Sequence, residues 1–83
     1  MDIEQYWTHE ASRILKSELV RRGIDYKELA ERLASIGVVE NQRQLTTKIN
    51  RGTFSFCFFL KAMRSIDAND VDIAEVRSRK LRE

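Results

Sequence analysis

The sequence predicts an all-α fold: one small bundle of four to five helices. The chain has 83 residues, no proline and three glycines, whereas a β-rich domain needs many more turn residues. Apolar residues recur at spacings of three and four, which is typical of amphipathic helices. Hydrophobic residues make up 42% and charged residues 34%, a balance that favours a folded domain over a disordered chain. We expect a single domain over residues 1–76 and a charged, frayed tail over residues 77–83.

The first helix is predicted over residues 3–22. Arg21 and Arg22 suit the negative end of its dipole, and Gly23 suits the position just past a helix end. We expect its apolar residues to form a buried stripe of Trp7, Ala11, Ile14, Leu15 and Leu19.

The second helix is predicted over residues 26–36. Asp25 is a favoured N-cap, and Glu28 occupies the position of its capping-box partner. Ile24 and Leu29 occupy the hydrophobic-staple positions on either side of this cap.

The third helix is predicted over residues 42–51. Asn41 is its N-cap, and Gln44 takes the capping-box position. Only Leu45 and Ile49 are strongly apolar, so the buried stripe is narrow. At 100° per residue, the side chains that point directly away from the stripe are those of Arg43, Thr47 and Arg51.

This outward face lies in a segment of one charge sign. Residues 41–66 contain five basic residues and no acidic one. Such a face is either a solvated surface or a contact surface for DNA, and the absence of acids favours DNA, because solvated faces usually mix both signs.

The fourth helix is predicted to follow a cap at Thr53 or Ser55 and to run to about residue 66. We expect its buried stripe to be Phe56, Phe59, Leu60, Met63 and Ile66. The phenylalanines are expected to be core residues and not a base-stacking platform, with Phe58 at the border of the stripe. A weaker fifth helix is expected after Asp70. The predicted common core is Trp7, Leu29, Leu33, Leu45, Ile49, Phe56, Phe59, Leu60 and Met63.

Several functional classes are excluded by composition. The single Cys57 cannot form an intramolecular disulfide, and the single His9 cannot build a multi-histidine metal site. We therefore expect no metal and no cofactor. A nucleophilic Cys57 would need a base, and the one histidine lies far away in sequence on helix one, so we also expect no enzymatic activity. The longest apolar run, residues 56–60, is shorter than the roughly 20 residues of a membrane span. Residues 1–4 lack the features of a signal peptide, so we expect a cytoplasmic protein.

Residues 23–33 resemble the segment that opens the helix-turn-helix of phage-repressor-like (Xre-type) regulators. Residues 48–52 and 59–63 resemble the end of their recognition helix and their following core helix, so the likeness covers about residues 12–70. The chain is also similar to a group of short, uncharacterised bacterial proteins, for which no activity follows. The first resemblance implies a lambda-repressor-like bundle, with the helix-turn-helix at about residues 25–52, that dimerises on double-stranded DNA.

Carried over by position, the resemblance places Arg43, Gln44, Thr47 and Lys48 at the major groove and Tyr26 near a phosphate. The predicted DNA-binding residues are Tyr26, Gln42, Arg43, Gln44, Thr46, Thr47, Lys48, Arg51 and Thr53. A homodimer with contacts at Cys57 and Phe58 is also expected, unless Phe58 packs against helix one inside the monomer. The connection between helices two and three is longer than the usual tight turn, which favours an alternative: a helical protein-interaction module that binds no nucleic acid.

Overall fold

The computed structural model describes residues 2–74. Within them the chain forms four α-helices and no strand: α1 (Ile3–Arg21), α2 (Tyr26–Ser35), α3 (Gln42–Arg51) and α4 (Phe56–Ser65). The all-α prediction is confirmed. Residues 71–74 are not helical, so the fifth helix expected after Asp70 does not begin there. The rest of that expected helix and the predicted tail over residues 77–83 lie outside the described residues.

Side-chain caps fix the starts of α3 and α4. Asn41 Oδ1 accepts from the backbone N–H of Gln44 at 2.8 Å, and Gln44 Oε1 accepts from that of Asn41 at 2.9 Å. The predicted capping box is therefore complete. At α4 the cap is Ser55 and not Thr53, since Ser55 Oγ accepts from the N–H of Phe58 at 3.0 Å.

Only one of the two hydrogen bonds predicted for the α2 capping box is present. Asp25 Oδ1 accepts from the N–H of Glu28 at 2.8 Å, but the Glu28 carboxylate does not return the bond. It pairs instead with Arg32 one turn later, at 2.9 Å. A complete capping box that the sequence analysis missed begins α1, where Asp2 and Gln5 bond reciprocally at 2.7 and 3.2 Å.

The core lies where α3 packs against both α1 and α2, and where α2 packs against α4. Its predicted members Leu29, Leu33, Leu45, Ile49 and Met63 are all buried. The whole buried cluster is Leu15, Leu19, Ile24, Leu29, Leu33, Leu45, Ile49, Phe58, Ala62, Met63 and Ile66.

The buried face of α4 is rotated from the predicted one. Phe56 is 70% exposed and Leu60 is 47% exposed, while Phe58 is only 5% exposed. Residues 56–60 are all apolar, so several faces of the helix satisfy the same spacing. Contact with α2 selects the face that carries Phe58, Ala62 and Met63.

Trp7 also lies outside the core, contrary to the prediction. It is 60% exposed and its ring meets that of Tyr6 edge-on, with centroids 4.8 Å apart. The next residue, Thr8, is the one whose backbone meets Gly52 at the end of α3, and Trp7 lies about 100° away from it around the helix. The buried residues of α1 begin only at Ser12.

Glu18 is a buried charge near the end of α1. Its carboxylate is paired with Arg21 at 2.7 Å and with Arg22 at 2.6 Å. Burial by itself raises the pKa of Glu18, but the hydrogen bonds from the two arginines outweigh it and lower the pKa from its usual 4.5. The group therefore stays ionised at neutral pH.

Gly52 brings the end of α3 against the backbone of α1. It adopts a left-handed backbone with φ of 68°. A Cβ at this position would lie 1.9 Å from the backbone carbonyl oxygen of Thr8. Because that neighbour is backbone, no side-chain movement can make room. The absence of a Cβ at position 52 is therefore what allows the end of α3 to pack this close to the backbone of α1.

Candidate nucleic-acid interface

The outward face of α3 lines an open groove. Leu45 and Ile49 are fully buried on the opposite side of the helix, which leaves Arg43, Thr47 and Arg51 exposed, as predicted. The lining residues are Glu40, Arg43, Gln44, Thr47, Lys48, Arg51, Thr53 and Phe54. Six of the nine predicted DNA-binding residues are therefore gathered around one concave surface.

Lys48 is held against the wall of this groove. Its Nζ lies 2.7 Å from Glu40 Oε1 and 4.6 Å from the centre of the Phe58 ring. An ammonium at this distance from a ring is attracted by its negative face. Lys48 is thus less free to meet a phosphate than the exposed Arg43 and Arg51.

Glu40 is a groove residue that the sequence analysis missed. It precedes the acid-free segment 41–66 by one position, and the connection between α2 and α3 carries it back to Lys48. With Glu40 included, the residues lining the groove keep an excess of two positive charges. Glu40 and Lys48 are eight residues apart in the sequence. No local rule pairs an acid with a lysine at that spacing, so the sequence contains no usable signal for this ion pair.

Gln44 has two competing roles. Its Oε1 accepts the capping hydrogen bond from Asn41, so only its NH₂ group is left to donate to a ligand. Bidentate recognition of adenine needs both the oxygen and the NH₂ of a glutamine. Turning its oxygen to adenine would break the bond from the Asn41 N–H, while the N-cap bond from the Gln44 N–H to Asn41 Oδ1 would remain.

Three predicted DNA-binding residues lie away from the groove lining. Thr46 is half-buried and donates its hydroxyl to the carbonyl of Gln42 at 2.8 Å. Gln42 itself is exposed in the first turn of α3. Tyr26 is half-buried and lines a separate depression with residues of α1 such as Lys16. Burial raises the pKa of Tyr26, so its phenol stays a hydrogen-bond donor at neutral pH.

The two predicted dimer-contact residues are in different environments. Cys57 is a free thiol on the exposed side of α4. Phe58 belongs to the monomer core, where its ring packs against Phe54 with centroids 5.6 Å apart. The position of Phe58 at the border of the stripe is therefore wrong. Phe58 is buried inside the monomer, and its expected packing against helix one stays a prediction. The homodimer itself stays a prediction.

The described helices show no feature of a membrane span or a metal site. None of α1 to α4 combines the length and the apolar character needed to cross a bilayer. Over residues 2–74, no three or more His, Cys, Asp or Glu side chains come together as a metal ion would require.

Comparison with known proteins finds one family. A family model described as "Domain of unknown function (DUF6471)" matches residues 7–71, which include all four helices except the first turn of α1. No curated protein and no solved structure matches the chain.

Proposed function

Because this chain belongs to the DUF6471 family, whose description assigns no activity, we propose its function from the groove on α3. The protein is a DNA-binding helix-turn-helix domain and acts as a small transcriptional regulator in the cytoplasm. Its ligand is double-stranded DNA, and α3 is the helix that enters the major groove.

One observation carries this proposal: three basic side chains and two hydroxyls share the groove lining. Arg43, Lys48 and Arg51 supply positive charge, and Thr47 and Thr53 supply hydroxyl groups that can bond to phosphate oxygens. Arginine also matches the acceptors of guanine in the major groove. Glu40 is the acidic lining residue, and its pairing with Lys48 reduces the repulsion that a phosphate would meet.

The supporting framework is an α-helix of suitable size. α3 has 10 residues and rests on α1 and α2 through Leu45 and Ile49. A helix of this kind fits the roughly 12 Å width of the major groove of B-DNA. The connection from α2 to α3, residues 36–41, lies at one end of the helix.

A gel-shift assay at about 50 mM salt tests the proposal, because phosphate contacts are strongest at low salt. The probe is a labelled duplex of random sequence. We expect the wild type to retard it and the double variant Arg43→Gln/Arg51→Gln to retard it much less. The matched control is Lys27→Gln/Arg64→Gln, which removes the same charge from exposed positions outside the groove lining. Equal loss in both variants, or no binding by the wild type, rejects the proposal.

We also propose that two copies act together on DNA. A single ten-residue helix contacts few base pairs, and small regulators reach useful specificity by binding two half-sites. Of the two predicted contact residues, only Cys57 is exposed. Sedimentation equilibrium at high micromolar concentration without DNA tests this point, and a monomer there rules out a preformed dimer.

A second function is favoured by a specific observation on α4. Phe56 and Leu60 expose large apolar surfaces one turn apart on the same helix. Exposed apolar patches are typical of protein-interaction sites. If the wild type binds no nucleic acid in the assay above, a helical protein-interaction module is the better account.

A further inference from the structure

A row of aromatic rings leads from the groove to the open surface of α4. Phe54 lines the groove. Its ring is nearly parallel to that of Phe59, with centroids 6.5 Å apart and planes at 7°. Phe59 in turn stacks with Phe56, at 6.1 Å and 22°. The row therefore connects the basic lining to the most exposed ring of the three.

Phe56 is the member of this row that does not pack into the core. It is 70% exposed, whereas Phe54 and Phe59 are half-buried against the core cluster. An exposed phenylalanine that is linked through Phe59 to the Phe54 lining of a basic groove resembles the aromatic platforms on which bases of a single strand stack. These rings were expected in the core, and for Phe56 that expectation is wrong.

We propose that the groove and Phe56 together bind single-stranded nucleic acid, with an unpaired base stacked on the Phe56 ring. The phosphates of the strand face Arg43 and Arg51 in the groove. The bases of a duplex are stacked on one another inside the double helix. A protein ring outside the double helix therefore has no unstacked base to pack against. The aromatic row thus adds a preference that the basic lining alone cannot give.

The charges around Phe56 agree with this ligand. Phe56 begins α4, and no acidic side chain occurs in the first turn of that helix. The basic residue Lys61 follows on the same helix and is exposed. A phosphate next to a base on Phe56 therefore meets no repulsion from α4. This inference shares its phosphate contacts with the proposed function, and it differs in requiring unpaired bases.

Fluorescence anisotropy with three labelled probes of equal length tests the proposal in the wild type. The probes are dT20, an abasic 20-mer that keeps the phosphates without bases, and a 20-base-pair duplex. A stacked base contributes enough that we expect dT20 to bind at least about fivefold more tightly than the abasic strand. A parallel titration with rU20 shows whether RNA or DNA is the preferred single strand.

Three variants assign the effect to the ring of Phe56. Phe56→Leu keeps the apolar surface but removes the ring, so the difference between dT20 and the abasic strand should disappear. Phe56→Trp keeps a ring and should retain the difference. Leu60→Ala is the matched control, since Leu60 is the other exposed large apolar residue of α4 and stands outside the aromatic row. It should leave all affinities unchanged.

The outcomes separate this inference from the proposed function. Equal affinity of the wild type for dT20 and the abasic strand overturns stacking, whether or not the duplex binds. Retention of the difference in Phe56→Leu also overturns it. If the duplex binds and dT20 does not, the proposed function stands alone. If no probe binds, both fall and the protein-interaction module remains.

Discussion

Replacing Gly52 by alanine tests how α1 holds α3 in place. Gly52 has φ of 68°, and a left-handed backbone costs an alanine about 1–2 kcal/mol. The new Cβ would also lie 1.9 Å from the Thr8 carbonyl oxygen. To restore an ordinary contact distance, α1 and the end of α3 must separate by roughly 1.5 Å, and overpacking of this kind costs about 1–3 kcal/mol. We expect a total loss of about 2–5 kcal/mol, which is a large part of the stability of a small domain.

Gly23→Ala is the matched control for this experiment. Gly23 has the same φ of 68°, but no atom lies within 4 Å of its hypothetical Cβ. The Gly23→Ala variant should therefore lose only the roughly 1–2 kcal/mol that a left-handed backbone costs an alanine. Urea unfolding followed by circular dichroism gives both free energies. The reasoning is refuted if the two variants lose the same stability, because the contact with Thr8 would then have no energetic consequence.

Three further predictions concern individual side chains. Glu18→Gln should unfold at lower urea than the wild type at pH 7. The lowered pKa of Glu18 makes its contribution complete above about pH 4.5 and lost as the pH falls further, so the gap should narrow in acid; a constant gap speaks against the ion pairs. Asn41→Ala removes the cap shared with Gln44 and should cost about 1 kcal/mol in thermal unfolding; an unchanged midpoint means that the cap contributes nothing. Glu40→Gln frees Lys48 and should tighten duplex binding, and weaker binding argues that Glu40 serves to position Lys48 for its ligand.

Helix limits and caps could be predicted because they depend on neighbours in sequence. Asn41 and Gln44 form their capping box within four residues. The helical spacing that buries Leu45 and Ile49 also determines that Arg43 is exposed. These are local relations, and the structure reproduces them. The missed box at the start of α1 follows the same local rule.

The rotation of α4 could not be predicted for a physical reason. Five consecutive apolar residues leave the choice of buried face to the partner helix, and α2 selects Phe58 over Phe56. The same selection creates the exposed ring of the proposed stacking site. Periodicity locates a stripe only where polar residues interrupt it.

The composition of the groove was only partly predictable. Arg43 and Arg51 follow from the geometry of one helix, whereas Glu40 joins the groove because the connection between α2 and α3 turns back toward Lys48. Tyr26 was assigned through resemblance, and it lies in a different depression. A local sequence pattern can show where a helix begins and ends along the chain. It does not show which other elements a connection or a helix end will contact in the folded protein.

The salt dependence of duplex binding tests the central claim most directly. Each phosphate contact contributes about −0.9 to the slope of log K against log salt. We expect a slope of about −1.8 per protomer if Arg43 and Arg51 contact phosphates, and about −2.7 if Lys48 also leaves Glu40 to do so. The Arg43→Gln/Arg51→Gln variant should flatten the slope, while Lys27→Gln/Arg64→Gln should not. A wild-type slope near zero, or an unchanged slope in the groove variant, contradicts the assignment of this groove to nucleic acid.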